Sequence, residues 1–116
     1  MTLDIATLSS WIGKTETMQE QLSPELVGRF NATLGSDFSV AVGESAPLLI
    51  HLCLAQPALP ADQLGEDGHP RRGGFLPPVP LPRRMWAGGE MTFLGPLPIG
   101  AQVKRHSTIR HIDEKQ

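Results

Sequence analysis

Proline placement limits what this chain can fold into more than any other feature. Nine of its eleven prolines fall between Pro57 and Pro98, and Pro77-Pro78-Val79-Pro80-Leu81-Pro82 is close to a polyproline run. Each proline removes a backbone donor and fixes φ, so this stretch suits neither a helix interior nor a central strand. An extended connection is expected there. Its apolar members Phe75, Leu76, Val79 and Leu81 predict that it is laid against a surface; a free linker is the alternative. Regular structure has to come from the flanks. At 116 residues the whole chain, 1–116, has the size of one domain.

On the N-terminal flank, Thr2 can cap a short helix with Ile5, Leu8 and Ile12 on one face and Trp11 beside them. Gly13 is its expected stop. Lys14 to Leu22 alternates loosely and reads as a strand. A longer helix is predicted over Pro24 to Leu34: Ser23 caps it, Pro24 suits its first position, and Glu25 complements the helix dipole. Leu26, Phe30 and Leu34 form its apolar stripe, and Gly35 ends it. Leu48 to Ala55 is a continuous apolar run, which periodicity leaves open between two helical turns and one buried strand. Within it, Cys53 reads as a buried thiol and His51 as a satisfied interior group. On the C-terminal flank, Arg84 to Leu94 reads as a strand with a bulge at Gly88-Gly89. A turn over Gly95 to Gly100 and a second strand over Val103 to Ile112 follow. Helices followed by strands predict an α+β domain with an antiparallel sheet.

Charge is unevenly placed. Residues 1–70 carry nine acidic and two basic side chains, and residues 71–116 carry three acidic and eight basic. The second part is therefore suited to an anionic ligand, or to pairing with the first. Nucleic acid is not expected, because the chain is acidic overall and contains no tyrosine. A single cysteine allows no intrachain disulfide and fits a reducing, cytoplasmic setting. No apolar stretch is long enough for a membrane span. One cysteine and four scattered histidines predict no structural metal site, and no phosphate-loop sequence is present.

The informative stretch is His69 to Glu90. It combines the pairs Arg71-Arg72 and Arg83-Arg84 with Gly73-Gly74 and Gly88-Gly89, separated by the proline spacer. Guanidinium forks bind phosphate or carboxylate, and glycines let backbone N–H groups approach an anion. Surface arginines flanking a structural loop are the alternative.

This stretch, with Phe93-Leu94-Gly95-Pro96-Leu97 and the segment Gly100 to Lys115 after it and Trp11-Ile12-Gly13-Lys14-Thr15-Glu16 before it, resembles the N-terminal domain of MaoC-family dehydratases. Within that family it is most similar to the mesaconyl-C4-CoA or 3-methylfumaryl-CoA hydratases. The resemblance implies a hot-dog fold, an antiparallel sheet wrapped around a helix, incomplete in this chain. It implies the N-terminal part of a longer double hot-dog protein that forms homo-oligomers and needs no cofactor besides its acyl-CoA substrate. The family's general acid/base pair lies in Gly-Asp-x-Asn-Pro-x-His. Here the nearest equivalent is Gly35-Ser36-Asp37-Phe38-Ser39, with neither Asn-Pro nor histidine after it. No catalytic residue is therefore assigned, and this chain alone is expected to be inactive. Arg71, Arg72, Arg83 and Arg84 are the candidates for CoA phosphates or a substrate carboxylate, with His69, Gly73, Gly74, Phe75 and Trp86 lining the approach. The expected function is the non-catalytic half of a hydratase or dehydratase for a short branched or dicarboxylic enoyl-CoA. The alternative is a hot-dog module that binds and dimerises with a separate active subunit.

Overall fold

A computed structural model describes residues 3–116. In chain order these form helix α1 (Ile5–Ser9), strand β1 (Thr15–Gln21), helix α2 (Pro24–Leu34), two short 3₁₀ turns (Ile50–Cys53 and Ala61–Gln63) and strand β2 (Gln102–Thr108). Two compact units result. One gathers residues up to Thr17 with Pro57–Gly88 and His106–Gln116; the other gathers Met18–Gln56 with Gly89–Arg105.

β1 and β2 pair as a two-stranded sheet. Leu22 N–H donates to the Ala101 carbonyl at 2.9 Å, and Ile109 N–H donates to the Lys14 carbonyl at 3.0 Å, so the strands run antiparallel. Alternate β2 residues, beginning with Val103, are half-buried and the others exposed, the period that a one-sided strand requires. The turn before β2 depends on Gly100, whose φ is +94°. A Cβ there would also stand 2.9 Å from Val42 Cγ1. Gly100→Ala is therefore expected to lower stability by about 1–2 kcal/mol, read from the urea midpoint.

α2 forms where its local signals place it. Ser23 accepts from Leu26 N–H at 3.1 Å, Pro24 occupies the first turn, and Gly35 closes the helix in the left-handed region. Its inward face differs in detail from the expected stripe. Val27 is the fully buried residue, Leu26 and Phe30 are partly buried, and Leu34 is 60% exposed in the last turn. The second unit's core is Leu22, Val27, Ile50, Leu54 and Ile99. In the first unit, α1 is capped by Asp4, whose carboxylate accepts from Thr7 N–H, and it buries Leu8. The expected cap, Thr2, lies outside the described residues.

Four expectations are corrected. The Leu48–Ala55 run makes one 3₁₀ turn, preceded by Leu49 with φ +75° and followed by extended Leu54. Ile50, Leu54 and Ala55 face inward, whereas Cys53, at the end of the turn, is exposed. Arg84 to Leu94 does not pair as a strand. Its alternation is present, but among the described residues no neighbouring segment supplies a ladder, and Met85, Trp86 and Leu94 are 88%, 84% and 95% exposed. The second strand stops at Thr108, short of Ile112. The proline-rich stretch is extended as expected, with Phe75, Pro77 and Val79 partly buried and Leu76 and Leu81 exposed. Among the described residues, no helix is long and apolar enough to cross a membrane.

Candidate functional site

In the first unit, the connection between Leu64 and Arg84 folds back on itself. Leu64 and Pro70 form an antiparallel bridge, and Arg71 N–H donates to the Gln63 carbonyl at 3.0 Å. Gly73, with φ +99°, donates its N–H to the Leu76 carbonyl at 2.8 Å and reverses the chain into the prolines. The Gly74 carbonyl accepts from Trp11 Nε1 at 3.0 Å and from Lys14 Nζ, tying the loop to the chain's N-terminal part.

Proline carbonyl-rich backbone lacks donors of its own, so its acceptors need side chains. The arginines supply them. Arg72 donates one terminal nitrogen to the carbonyls of Val79, at 2.6 Å, and of Leu81. Arg84 donates to the Pro70 carbonyl at 3.2 Å and lies 2.8 Å from Asp67 Oδ2. Arg71 uses Nε on the Leu64 carbonyl at 3.2 Å, which leaves its terminal nitrogens available. Arg83 makes no polar contact among the described residues.

Together Arg71, Arg72 and Arg84 line a shallow cavity of about 230 Å³, with Asp67, Glu66 and Leu81 on its walls. Three of the four arginines singled out in the sequence are thus brought together, and Arg83 is not. The other candidates fall around them without lining the cavity. His69 contributes its backbone N–H to Asp67 and leaves its ring exposed. Gly73 and Gly74 shape the loop, Phe75 is partly buried, and Trp86 is almost fully exposed.

Asp67 is not among the residues singled out in the sequence, and no local signal marks it, because its partner Arg84 is brought to it only when the loop folds back. Its carboxyl is held below the ordinary value of 3.8, first by the His69 N–H on Oδ1 at 3.0 Å and then by the nearby Arg84 guanidinium, with burial opposing both. A lowered folded-state value means that this stabilisation is present above 3.8 and is lost as pH falls through the lower folded value. Asp67→Asn is therefore expected to flatten the acid-side loss of stability, measured as urea midpoints on either side of pH 3.8. A parallel slope in the variant would contradict it.

A second cavity, of about 420 Å³, opens in the second unit between Ser45–Leu49 with His51 and Phe93–Leu97. Its walls carry Leu48, Leu49, Phe93 and Leu97, and no Lys, Arg, Asp or Glu lines it. The His51 ring packs edge-on against Phe93, with centroids 5.9 Å apart. Sequence reasoning made His51 a satisfied interior group. Here its ring nitrogens have no hydrogen-bond partner among the described residues, and the side chain is only partly buried. Among the described residues, no cluster of three or more His, Cys, Asp or Glu side chains is placed to hold a metal ion.

Residues 48–116 match the family described as hydroxyacyl-thioester dehydratase type 2. Over 107 residues the chain is 40% identical to the mesaconyl-C(4)-CoA hydratase of Chloroflexus aurantiacus, a match that covers 91% of this chain and 38% of that protein.

Proposed function

The chain belongs to the hydroxyacyl-thioester dehydratase type 2 family, as a MaoC-like hot-dog hydratase domain, and from that premise we propose that it is the non-catalytic half of an acyl-CoA hydratase. Its substrate class is a short branched or dicarboxylic enoyl thioester of CoA. The observation that carries this reading is the 40% identity to a mesaconyl-C(4)-CoA hydratase across 91% of the chain. Among the described residues two strands are paired, which fits an incomplete hot-dog sheet. A second hot-dog domain, in the same chain or another, then supplies the rest of the fold and the general acid/base pair. Homo-oligomerisation and a cytoplasmic location belong to the same reading.

Hydration of a conjugated thioester needs two things: a group that handles the proton of water, and donors that stabilise the enolate-like charge on the carbonyl. Neither is assigned to a residue of this chain, whose sequence lacks Gly-Asp-x-Asn-Pro-x-His. What the chain offers is anion binding. Arg72 and Arg84 are held by backbone carbonyls and by Asp67, so they act mainly as a fixed positive wall. Arg71 keeps free terminal nitrogens and is the residue best able to meet a CoA phosphate.

The test is hydration of a panel of enoyl-CoA esters by the full-length protein that carries this chain. Short branched and dicarboxylic esters are expected to react. Arg71→Ala is expected to raise KM about tenfold with kcat little changed, the size of one lost charge-assisted contact. Unaltered affinity and turnover in an Arg71→Ala/Arg72→Ala double variant would remove the role from this cavity. The alternative, a module for a separate active subunit, draws on the exposed apolar side chains of Leu48, Leu52 and Leu94 in the second unit. Under that reading, activity appears only on mixing with a subunit that carries the missing motif.

A further inference from the structure

Trp11 and Lys14 stand 63 and 60 positions before Gly74, yet both reach its carbonyl oxygen. All three belong to the first unit, as does the arginine cavity. The indole Nε1 donates at 3.0 Å, and the ammonium that donates beside it lies 5.4 Å from the centre of the Trp11 ring, so the two donors also hold each other. Their platform is fixed in turn. Lys14 N–H donates to the Trp11 carbonyl at 3.0 Å, Gly13 N–H to the Ile109 carbonyl at 2.7 Å, and Ile109 N–H to the Lys14 carbonyl at 3.0 Å.

The clamp falls where the loop has most need of it. On one side, Arg71 N–H is bonded to the Gln63 carbonyl. On the other, the proline-rich limb is stiff and carries Leu81 and Pro82, which line the cavity. Between them Gly73 and Gly74 give the backbone its greatest freedom, and Gly73 already holds a φ of +99°. Left unheld, a stiff limb on a glycine hinge would swing as one piece. It would take with it the Val79 and Leu81 carbonyls and the Arg72 guanidinium bonded to them. Two donors on the Gly74 carbonyl stop that motion at its pivot.

We propose that Trp11 and Lys14 are positioning residues for the arginine cavity, their clamp on Gly74 keeping Arg71 and Arg72 set to receive a phosphate before it arrives. The inference rests on the acyl-CoA reading above and deepens it by assigning Trp11 and Lys14, which that reading leaves without a role. Neither side chain lines the cavity, so their influence passes through the loop. A loop without the clamp has to be ordered by the ligand itself, which lowers affinity. Lys14 gives the stronger of the two bonds because its donor is charged, and its loss should weigh more.

Equilibrium titration of coenzyme A into the full-length protein that carries this chain tests it. Lys14→Met is expected to weaken binding about fivefold, within the range for one side chain that the ligand must itself immobilise. Trp11→Phe keeps the aromatic packing and deletes the N–H, and should weaken binding about threefold. Lys14 is exposed and Trp11 half-buried, so both variants are expected to fold. Lys14→Arg retains a charged donor and should recover most of the loss. A combined variant reads what a merely structural contact would not change. Lys14→Met with Arg71→Ala should bind no more weakly than Arg71→Ala alone, because the clamp acts through the cavity. Additive losses would overturn the proposal, since Lys14 would then act apart from Arg71. Undiminished affinity in Lys14→Met and Trp11→Phe, with a loss in Arg71→Ala, would also sink this inference while the acyl-CoA reading stands. If Arg71→Ala leaves coenzyme A binding untouched, the cavity loses its role and this inference falls with it.

Discussion

Replacing Leu22 by alanine is expected to cost about 3–5 kcal/mol of folding stability, the largest single effect in this chain. Leu22 is fully buried and is one of only five residues in the second unit's core. Its backbone is fixed on both sides: its N–H donates to the Ala101 carbonyl, and its carbonyl accepts from Gly100 N–H at 2.7 Å. The side chain therefore has little freedom to follow a shrinking neighbour, and the removed carbons leave a cavity instead of a collapse. A domain of ordinary stability holds only about 5–15 kcal/mol, so the variant loses a large share of it. The urea midpoint measures this directly. Leu94→Ala, at a residue 95% exposed, provides the contrast and should change stability by less than about 0.5 kcal/mol. Comparable losses at both positions would show that Leu22 does not anchor the core.

Arg72→Ala should cost about 1.5–3 kcal/mol, the range for hydrogen bonds to a charged group. One guanidinium nitrogen serves the carbonyls of both Val79 and Leu81 within the proline-rich segment. Removing it leaves two acceptors in a stretch whose prolines cannot donate in its place. Arg72→Lys should recover only part of the loss, since an ammonium lacks the planar fork. Arg83→Ala, with no polar contact to lose among the described residues, should be close to neutral. The comparison separates two meanings of an arginine pair: Arg72 builds the loop, and any fall in ligand affinity on its loss would come with a fall in stability. Arg71 is the position where affinity should change alone. Proteolysis of the loop between Gly73 and Arg84 offers an independent reading of the same prediction, with faster cleavage in Arg72→Ala.

Local chemistry makes part of this structure legible in the sequence. Ser23, Pro24 and Gly35 mark the two ends of α2 because capping and left-handed closure are decided within a few residues of sequence. Prolines forbid regular structure over Pro77–Pro82 for the same local reason. Features that depend on a distant partner were not readable. The alternation of Met85 to Leu94 is that of a strand, yet a strand exists only where another backbone accepts its hydrogen bonds. The Leu48–Ala55 run is apolar throughout, so sequence did not reveal that Ile50 and Leu54 would turn inward while Leu52 and Cys53 faced out.

Much the same division runs through the candidate site. The arginine pairs pointed to Arg71, Arg72, Arg83 and Arg84, and all of these except Arg83 line one cavity. They said nothing of Asp67, nor of which guanidinium would be spent on carbonyl groups, because those depend on how the loop folds back. The cleft beside His51 joins residues more than forty positions apart, from Phe93 to Leu97 across to Ser45, and no local pattern marks it. Family resemblance supplied the hydratase assignment; the arginines alone would have left phosphate, carboxylate and plain loop structure equally open.

The central claim is that this chain carries a binding wall for an acyl-CoA and leaves the chemistry to another domain. Calorimetric titration of the 116-residue chain with mesaconyl-C4-CoA tests it most directly. The account predicts saturable heat that weakens in Arg71→Ala while the enoyl thioester stays intact throughout. Absence of binding, or binding that Arg71→Ala leaves untouched, would contradict it.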